Sequence, residues 1–526
     1  MSVLLVQRDY PLALLSGIFL AASFPRFGYP AFGWIALTPL VVTLVRRDGP
    51  PSAGAALAPP SRVAPRRAFG LGFLSGAVYF AGTLYWTSAT VRTFGGLGLP
   101  VSLIVTALLV AYLALFPALF ALALAWLARS FGVRTLILAP AVWVTSEMGR
   151  TYFWSGFPWL LLGYSQASVL PVAQVASLVG VFGLSGLVSA VGAGLAYAAM
   201  TRSRRTWTIG AAPIVAVILL AAWGSWRIRG AVLTHTGTPL RVALVQGNVP
   251  QTEKWDPAHA PAILERYLLL TRDAAQRDAR LVIWPESATP FFYEEDFANG
   301  ERIREMVRET GVRLLFGSDQ RDRGARPKYY NAAFMLQPDG QTVAVYRKMQ
   351  LVPFGEYVPF KSLLFFVGAL VEGVSDFSPG SEMVSLPIGR ATISTAICYE
   401  IVYPGLVRRA VTGGSQLLTT MTNDAWYGYS SAPYQHFLQA SLRTIEEGRY
   451  LARAANTGIS GIVDPYGHVL AQSGLFETTV LTGEIRLLST LTVYARIGDL
   501  FAYLCVALTA AAFLTAWKRG SAIAHH

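Results

Sequence analysis

The sequence predicts an α+β membrane protein: an eight-helix transmembrane bundle that brackets one water-soluble, layered α/β domain. Three observations predict it. Of 526 residues, 53% are hydrophobic and only 14% charged, whereas an ordinary soluble domain carries about 25% charged residues. The apolar residues are gathered into runs at 10–27, 31–46, 68–90, 99–128, 135–148, 168–199, 207–226 and 496–517. A long polar stretch, 230–493, separates the last run from the others and mixes short β-branched segments with helical ones. Mean hydropathy is +0.44, which again makes lipid the solvent for part of the chain.

A spanning helix needs about 20 mostly apolar residues. Most of the runs qualify; 31–46 is short, and 135–148 must borrow flanking residues. The stretch Met1 to Tyr10 lacks a cleavable signal pattern with a small-residue site, so the first run is expected to remain as an anchor. No period of roughly 20–50 residues repeats, which argues against a solenoid. Basic residues cluster in alternate loops: Arg46, Arg47, Arg62, Arg66 and Arg67; then Arg129 and Arg134; then Arg202, Arg204 and Arg205; and finally Lys518 and Arg519. Such loops stay cytoplasmic. The N-terminus is then cytoplasmic and 230–493 lies on the outer face, although Arg227 and Arg229 run against the rule. Three regions follow: a transmembrane domain over 1–229, a soluble domain over 230–493, and a last helix with its tail over 494–526.

The net charge of +13 suits an anionic membrane surface, because many of the arginines sit in short loops between apolar runs. No nucleic-acid-binding motif accompanies the charge, so no such partner is expected. The two cysteines, Cys398 and Cys505, make no disulfide framework. One lies in the polar domain and the other in an apolar run, so they are not expected to pair.

Within 230–493, strands are expected at 241–245, 281–284, 312–316, 391–397 and 416–420, and helices at 257–278, 301–310 and 432–454. Gln337-Pro338-Asp339-Gly340 and Asp464-Pro465-Tyr466-Gly467 carry turn chemistry. The 357–380 loop holds Leu363-Leu364-Phe365-Phe366-Val367 beside a polar domain edge. Such a patch is either core or a membrane-touching lid; Pro353, Gly355, Pro359 and Gly373 favour the lid.

Three strand-end residues form a chemically coherent set: Glu286 after Leu281-Val282-Ile283-Trp284-Pro285, Lys348 after Val343-Ala344-Val345-Tyr346-Arg347, and Cys398 in Ala396-Ile397-Cys398-Tyr399-Glu400. Alone, each has an ordinary reading as a strand-end acid, a surface lysine or a core thiol. Together they supply what acyl transfer through sulfur requires. A thiol with a free pKa near 8.5 is mostly protonated at neutral pH. A carboxylate can take its proton, and an ammonium can favour the thiolate and stabilise an oxyanion. The thioester that forms is open to attack by amines. The six histidines, His235, His259, His436, His468, His525 and His526, lie in no Gly-x-Ser-x-Gly elbow, and no His-Glu-x-x-His or Cys-x-x-Cys metal site occurs.

Trp284-Pro285-Glu286, Lys348 and Cys398-Tyr399-Glu400 resemble the Glu–Lys–Cys triad of the nitrilase superfamily, in its usual order. The strings from Leu351 to Pro359 (LVPFGEYVP) and Thr422-Asn423-Asp424-Ala425-Trp426 resemble the membrane branch of that superfamily, the apolipoprotein N-acyltransferases. So do Val245-Gln246-Gly247-Asn248 with Trp255, and Ala455-Asn456-Thr457-Gly458. The likeness spans essentially the whole chain; only the 47–67 loop looks longer than the family's. It implies a nitrilase-like α-β-β-α sandwich with Glu286 as general base, Lys348 as oxyanion stabiliser and Cys398 as acylated nucleophile. Glu356 corresponds to a second acid, Tyr399 and Glu400 to residues that shape the site, and Trp255, Asn423 and Trp426 to substrate-binding positions.

The resemblance further implies a phospholipid acyl donor, namely the sn-1 chain of phosphatidylethanolamine, and a diacylglyceryl apolipoprotein as acceptor. It implies a monomer in the bacterial inner membrane with the catalytic domain on the periplasmic side. Neither a metal nor a cofactor is expected. Two rival readings stand: a membrane-tethered amidase using the same triad, and a transporter or scaffold with an inactive outer domain. One apolar segment is ambiguous. Between Trp143 and Gln166 lie Glu147, Arg150, Trp154, Trp159 and Tyr164, which read either as an aromatic belt with a structural Glu147–Arg150 pair or as a lipid-entry wall.

Overall fold

A computed structural model describes residues 9–45, 63–201, 204–324, 326–357 and 377–524. The chain divides into two compact units: Met1–Ser88, Leu99–Arg227 and Ile497–His526 form one, and Ala89–Gly98 with Ile228–Arg496 form the other. The lid expected at 357–380 and the 47–67 loop fall largely outside the described residues.

The first unit is helical. Four stretches are long and apolar enough to cross a membrane: Leu99–Ile137, Ala176–Thr201, Thr206–His235 and Leu500–Arg519. Pro65–Leu84 with Trp86–Phe94 adds a fifth if the bent pair is one span. The runs at 10–27 and 31–46 form shorter apolar helices, and 135–148 is divided between a 3-10 turn, Gly132–Ile137, and the helix Ala139–Tyr152. Small residues let helices meet closely: a Cβ on Gly72 would lie 2.4 Å from the Pro117 carbonyl oxygen and 2.6 Å from Ala121 Cβ.

Glu147 and Arg150 are both buried and both serve non-helical backbone. Glu147 accepts from the Leu162 N–H at 2.7 Å. Arg150 donates to the Trp159 and Leu160 carbonyls at 2.6 and 3.2 Å and stacks over the Phe80 ring. Backbone that leaves the helix within an apolar unit needs such partners, so the structural reading of this segment accounts for both charges, through backbone carbonyls and an N–H.

The second unit carries twelve strands among the described residues: β1 Thr238–Gln246, β2 Leu281–Ile283, β3 Arg313–Arg321, β4 Tyr329–Leu336, β5 Thr342–Arg347, β6 Leu386–Ile388, β7 Ala391–Ile397, β8 Leu418–Thr422, β9 Leu451–Ala455, β10 Gly461–Val463, β11 Val469–Gln472 and β12 Thr479–Leu487. They form two mixed six-stranded sheets, ordered β12-β1-β2-β3-β4-β5 and β11-β10-β9-β8-β7-β6. In each, three central strands run parallel, β1-β2-β3 and β7-β8-β9.

Strand periodicity explains the layers. Successive side chains point to opposite faces. Val242, Leu244, Leu281, Ile283 and Leu315 join Ile393, Ile397 and Met421 in the core between the sheets. Their neighbours Ala243, Val245, Val282, Trp284, Leu314 and Phe316 pack against Ile263, Leu264 and Tyr267 of helix Ala260–Gln276, and Ile303 and Met306 of helix Phe297–Thr310. Faces buried on both sides account for the near-continuous apolar runs. This is a nitrilase-like α/β fold. One expectation is corrected: the helix expected over 432–454 stops at Glu447, because Gly448 adopts φ +62° as a left-handed cap, and 451–455 is strand β9.

Candidate active site

The carboxyl ends of the parallel strands gather the site, as they do in open α/β sheets. After β2 the chain turns through Pro285 and Glu286 into Ser287, whose φ is +43°. Gly317 permits this turn: a Cβ there would lie 2.5 Å from Ser287 N and 2.8 Å from Glu286 Cα. Lys348 follows β5, its N–H bonded to the Asn331 carbonyl at 2.9 Å. Cys398 follows β7 with φ +53° and opens a 3-10 turn, Cys398–Val402.

Glu286, Lys348 and Glu356 form one cluster. Lys348 Nζ donates to Glu286 Oε1 at 3.1 Å and to Glu356 Oε1 at 2.8 Å. Asn331 Nδ2 donates to the same two oxygens at 2.7 and 3.0 Å. Glu286 Oε2 accepts from the Asn423 N–H at 3.0 Å, and Glu356 Oε2 from the Val352 N–H at 2.8 Å. Burial opposes the ionised form of Glu286, but Lys348, Asn331 and Lys254 outweigh it and hold the carboxyl below its usual range. For Lys348, burial is likewise outweighed, by Glu286 and Glu356, and the ammonium is held well above its ordinary value.

Cys398 is 5% exposed. Burial and the Glu286 charge push its thiol up; Lys348 and a hydrogen bond to Thr422 pull it down without reversing the direction. The resting sulfur is therefore a thiol. The expectation that Lys348 favours a thiolate holds for its own effect and is outweighed by burial and Glu286.

Glu400 is fully buried and fastens two loops. Oε1 accepts from Tyr346 Oη at 2.8 Å and from the Met349 and Gln350 N–H groups at 2.6 and 3.1 Å. Oε2 accepts from the Ile397 N–H at 2.7 Å. It thus locks the lysine loop to the turn that bears the nucleophile. Tyr399 is buried with its ring against Tyr403. Asn423 bridges Gln251 and Asn456 at 2.7 and 3.1 Å. Trp255 and Trp426, 46% and 36% exposed, stand outside the buried cluster; Trp426 packs edge-on against Phe94 at 4.6 Å.

Sequence reasoning gave no role to Lys254, Asn331, His436 or Arg453, nor to Thr422 and Asp424 within the string it singled out. Lys254 donates to the Glu286 carbonyl at 3.1 Å, and burial lowers it to about 8 against the pull of Glu286, Asp319 and Cys398. Its signal was its place beside Trp255; that of Asn331 was a polar residue within the run of β4. Donor atoms of Cys398, Asp424 and His436 lie within 4.8 Å of one another. Arg453 already supplies positive charge there, at 2.8 Å from Asp424 Oδ2, which disfavours a metal ion.

Two family models match this chain: carbon-nitrogen hydrolase over 241–493 and the apolipoprotein N-acyltransferase N-terminal domain over 16–194. A Geobacter metallireducens protein named apolipoprotein N-acyltransferase is 40% identical, over 99% of this chain and 97% of that one. Namesakes from Methylococcus capsulatus and Shewanella oneidensis are 36% and 35% identical, over 98% and 84% of this chain and 97% and 86% of their own.

Proposed function

Since the chain belongs to the apolipoprotein N-acyltransferase family and is an enzyme of lipoprotein N-acylation, we propose that it moves the acyl chain in two steps through Cys398. The observation that carries this reading is the buried Lys348 ammonium bonded to Glu286 and Glu356 at 3.1 and 2.8 Å, with the buried Cys398 thiol within the field of both Glu286 and Lys348.

In the first step Cys398 sulfur attacks the carbonyl carbon of a phospholipid acyl ester, the sn-1 ester of phosphatidylethanolamine. Its proton passes to Glu286, whose carboxylate is kept ionised by Lys348 and Asn331. Because the resting thiol is protonated, the transfer accompanies attack instead of preceding it. The carbonyl oxygen gains negative charge, which the Lys348 ammonium stabilises. The ester C–O bond breaks, Glu286 returns the proton to the departing oxygen, and a lysophospholipid leaves. In the second step the α-amino group of a diacylglyceryl-cysteine attacks the thioester. The C–S bond breaks, Glu286 takes a proton from the nitrogen, and sulfur recovers one. Glu356 orients Lys348, Tyr399 and Glu400 shape the pocket, and Trp255, Asn423 and Trp426 contact substrate.

Both substrates are lipid-anchored. Apolar helices in the same chain as the catalytic unit fit this, since confinement to a bilayer raises effective concentration. The reading assigns 1–229 to an inner-membrane domain of seven of eight spanning helices, 230–493 to a periplasmic catalytic domain and 494–526 to the returning helix, with the enzyme acting as a monomer.

The test supplies the purified full chain with phosphatidylethanolamine and a diacylglyceryl lipopeptide, and in parallel with a water-soluble amide. Equimolar lysophospholipid and N-acyl lipopeptide are expected. Release of ammonia from the amide without acylation of the lipopeptide would instead identify a tethered amidase.

A further inference from the structure

The backbone of Cys398 is held in a conformation that L-residues other than glycine rarely adopt: φ is +53°. Something must over-determine it. Beneath the nucleophile lies a fully buried group of Thr422, Asp424, His436 and Arg453, and it reaches both ends of Cys398. His436 Nε2 lies 3.1 Å from the Cys398 carbonyl oxygen. Thr422 hydrogen-bonds the thiol and donates to Asp424 Oδ1 at 2.8 Å. Arg453 Nη2 anchors the group, at 2.8 Å from Asp424 Oδ2 and 3.1 Å from His436 Nδ1.

These partners select the histidine's proton position. A carbonyl oxygen only accepts, so Nε2 carries a hydrogen; Nδ1 lies between a guanidinium, which only donates, and a carboxylate, which only accepts. Asp424 Oδ1, 3.1 Å from Nδ1, has the Thr422 hydroxyl as its donor. Burial first, and then the Arg453 charge, lowers His436 below its usual value, in accord with a neutral ring. The Nε2 proton is thus committed to the nucleophile's carbonyl.

We propose that His436 is a positioning residue for the nucleophile: with Arg453 and Asp424 it clamps the Cys398 carbonyl and holds the left-handed turn, leaving proton transfer to Glu286. This rests on Cys398 being the acylated residue. It distinguishes the site from a cysteine–histidine pair in which the imidazole takes the thiol proton.

The test uses the full chain, with His436→Gln and His436→Asn. Glutamine presents an amide nitrogen at the ε position, where it can reach the carbonyl; asparagine's falls one carbon short. Single-turnover loss of phosphatidylethanolamine acyl ester is measured beside the pH midpoint of iodoacetamide alkylation on the peptide bearing Cys398. Glutamine is expected to recover most of the rate. Asparagine is expected to be slower by about tenfold or more, with donor KM within about twofold of the parent. The alkylation midpoint is expected to stay put in both. Equal rates in the two variants, whether both fast or both lost with a lowered Tm, would overturn the proposal. So would a raised alkylation midpoint in both, the sign of a base. Failure of the parent reading is separable: there the unaltered chain would consume acyl ester without Cys398, as Cys398→Ala would reveal.

Discussion

Glu356 Oε1 accepts from Lys348 Nζ at 2.8 Å, closer than the 3.1 Å between that nitrogen and Glu286 Oε1. The second acid is thus the nearer partner of the lysine and fixes the direction of its ammonium. Replacing Glu356 by Gln keeps the shape and removes the charge. A hydrogen bond to a charged group is worth about 1.5–3 kcal/mol, or roughly 10–100-fold in rate. Acylation of Cys398 in a single turnover is expected to slow by that factor while Tm changes little; a change under about threefold would refute this role.

Glu400 accepts four donors with its two oxygens, three of them backbone N–H groups. In Glu400→Gln an amide NH2 must face at least one of them. A buried donor left without an acceptor costs about 1–3 kcal/mol, and each kcal/mol lowers Tm by roughly 2–4 °C in a domain of this size. Thermal unfolding is expected to come several degrees earlier, and acyl transfer to fail as the lysine loop parts from Cys398. Unchanged unfolding would show the four bonds to be idle.

Gly317→Ala tests the placement of the base. The new Cβ would stand 2.6 Å from the Pro285 carbonyl and 2.8 Å from Glu286 Cα, so the turn must shift. Since a displacement of about 1 Å can cost around 100-fold in rate, kcat is expected to fall far more than KM rises. A variant with parental kcat would mean that the turn tolerates the methyl and that Glu286 is less tightly placed than its contacts imply.

Stability should depend on pH through Glu447, which is fully buried. Burial, and then the charge of Glu446, raise its carboxyl to about 8 against the pull of Arg443 and Arg449. An unfolded glutamate titrates near 4.3. Between those values the folded chain holds the extra proton, so this group's contribution falls as pH rises through that window and is lost above about 8. Glu447→Gln cannot titrate. Its Tm relative to the parent is expected to climb between about pH 5 and pH 8; a constant difference over that range would contradict the assignment.

Much of this was legible in the sequence because strand ends announce themselves. Glu286, Lys348 and Cys398 each follow a β-branched run, and the runs that became β1, β2, β3 and β7 are continuous because both faces are buried. Other features depend on tertiary contacts. Helix Ala432–Glu447 ends at the Gly448 cap and β9 begins at Leu451, although Leu451-Ala452-Arg453-Ala454 are all residue types a helix also accepts. His436 reads as one more residue of an amphipathic helix; only the packing of that helix under the nucleophile brings its ring to the Cys398 carbonyl. Asn331 is a single amide in an apolar strand, and its partners lie 25 and 45 positions away in the chain. The run at 10–27 looks long enough to span in composition, yet its helix is the short Asp9–Ala22, since hydropathy does not report where a helix breaks.

Identification of the acylated atom is the decisive measurement. The purified chain would be incubated with phosphatidylethanolamine in the absence of acceptor, digested, and its peptides weighed before and after hydroxylamine. A fatty-acyl mass is predicted on the peptide that contains Cys398, removed by hydroxylamine, and absent from Cys398→Ala. An acyl group on any other peptide, or full transfer to lipopeptide by Cys398→Ala, would contradict the account.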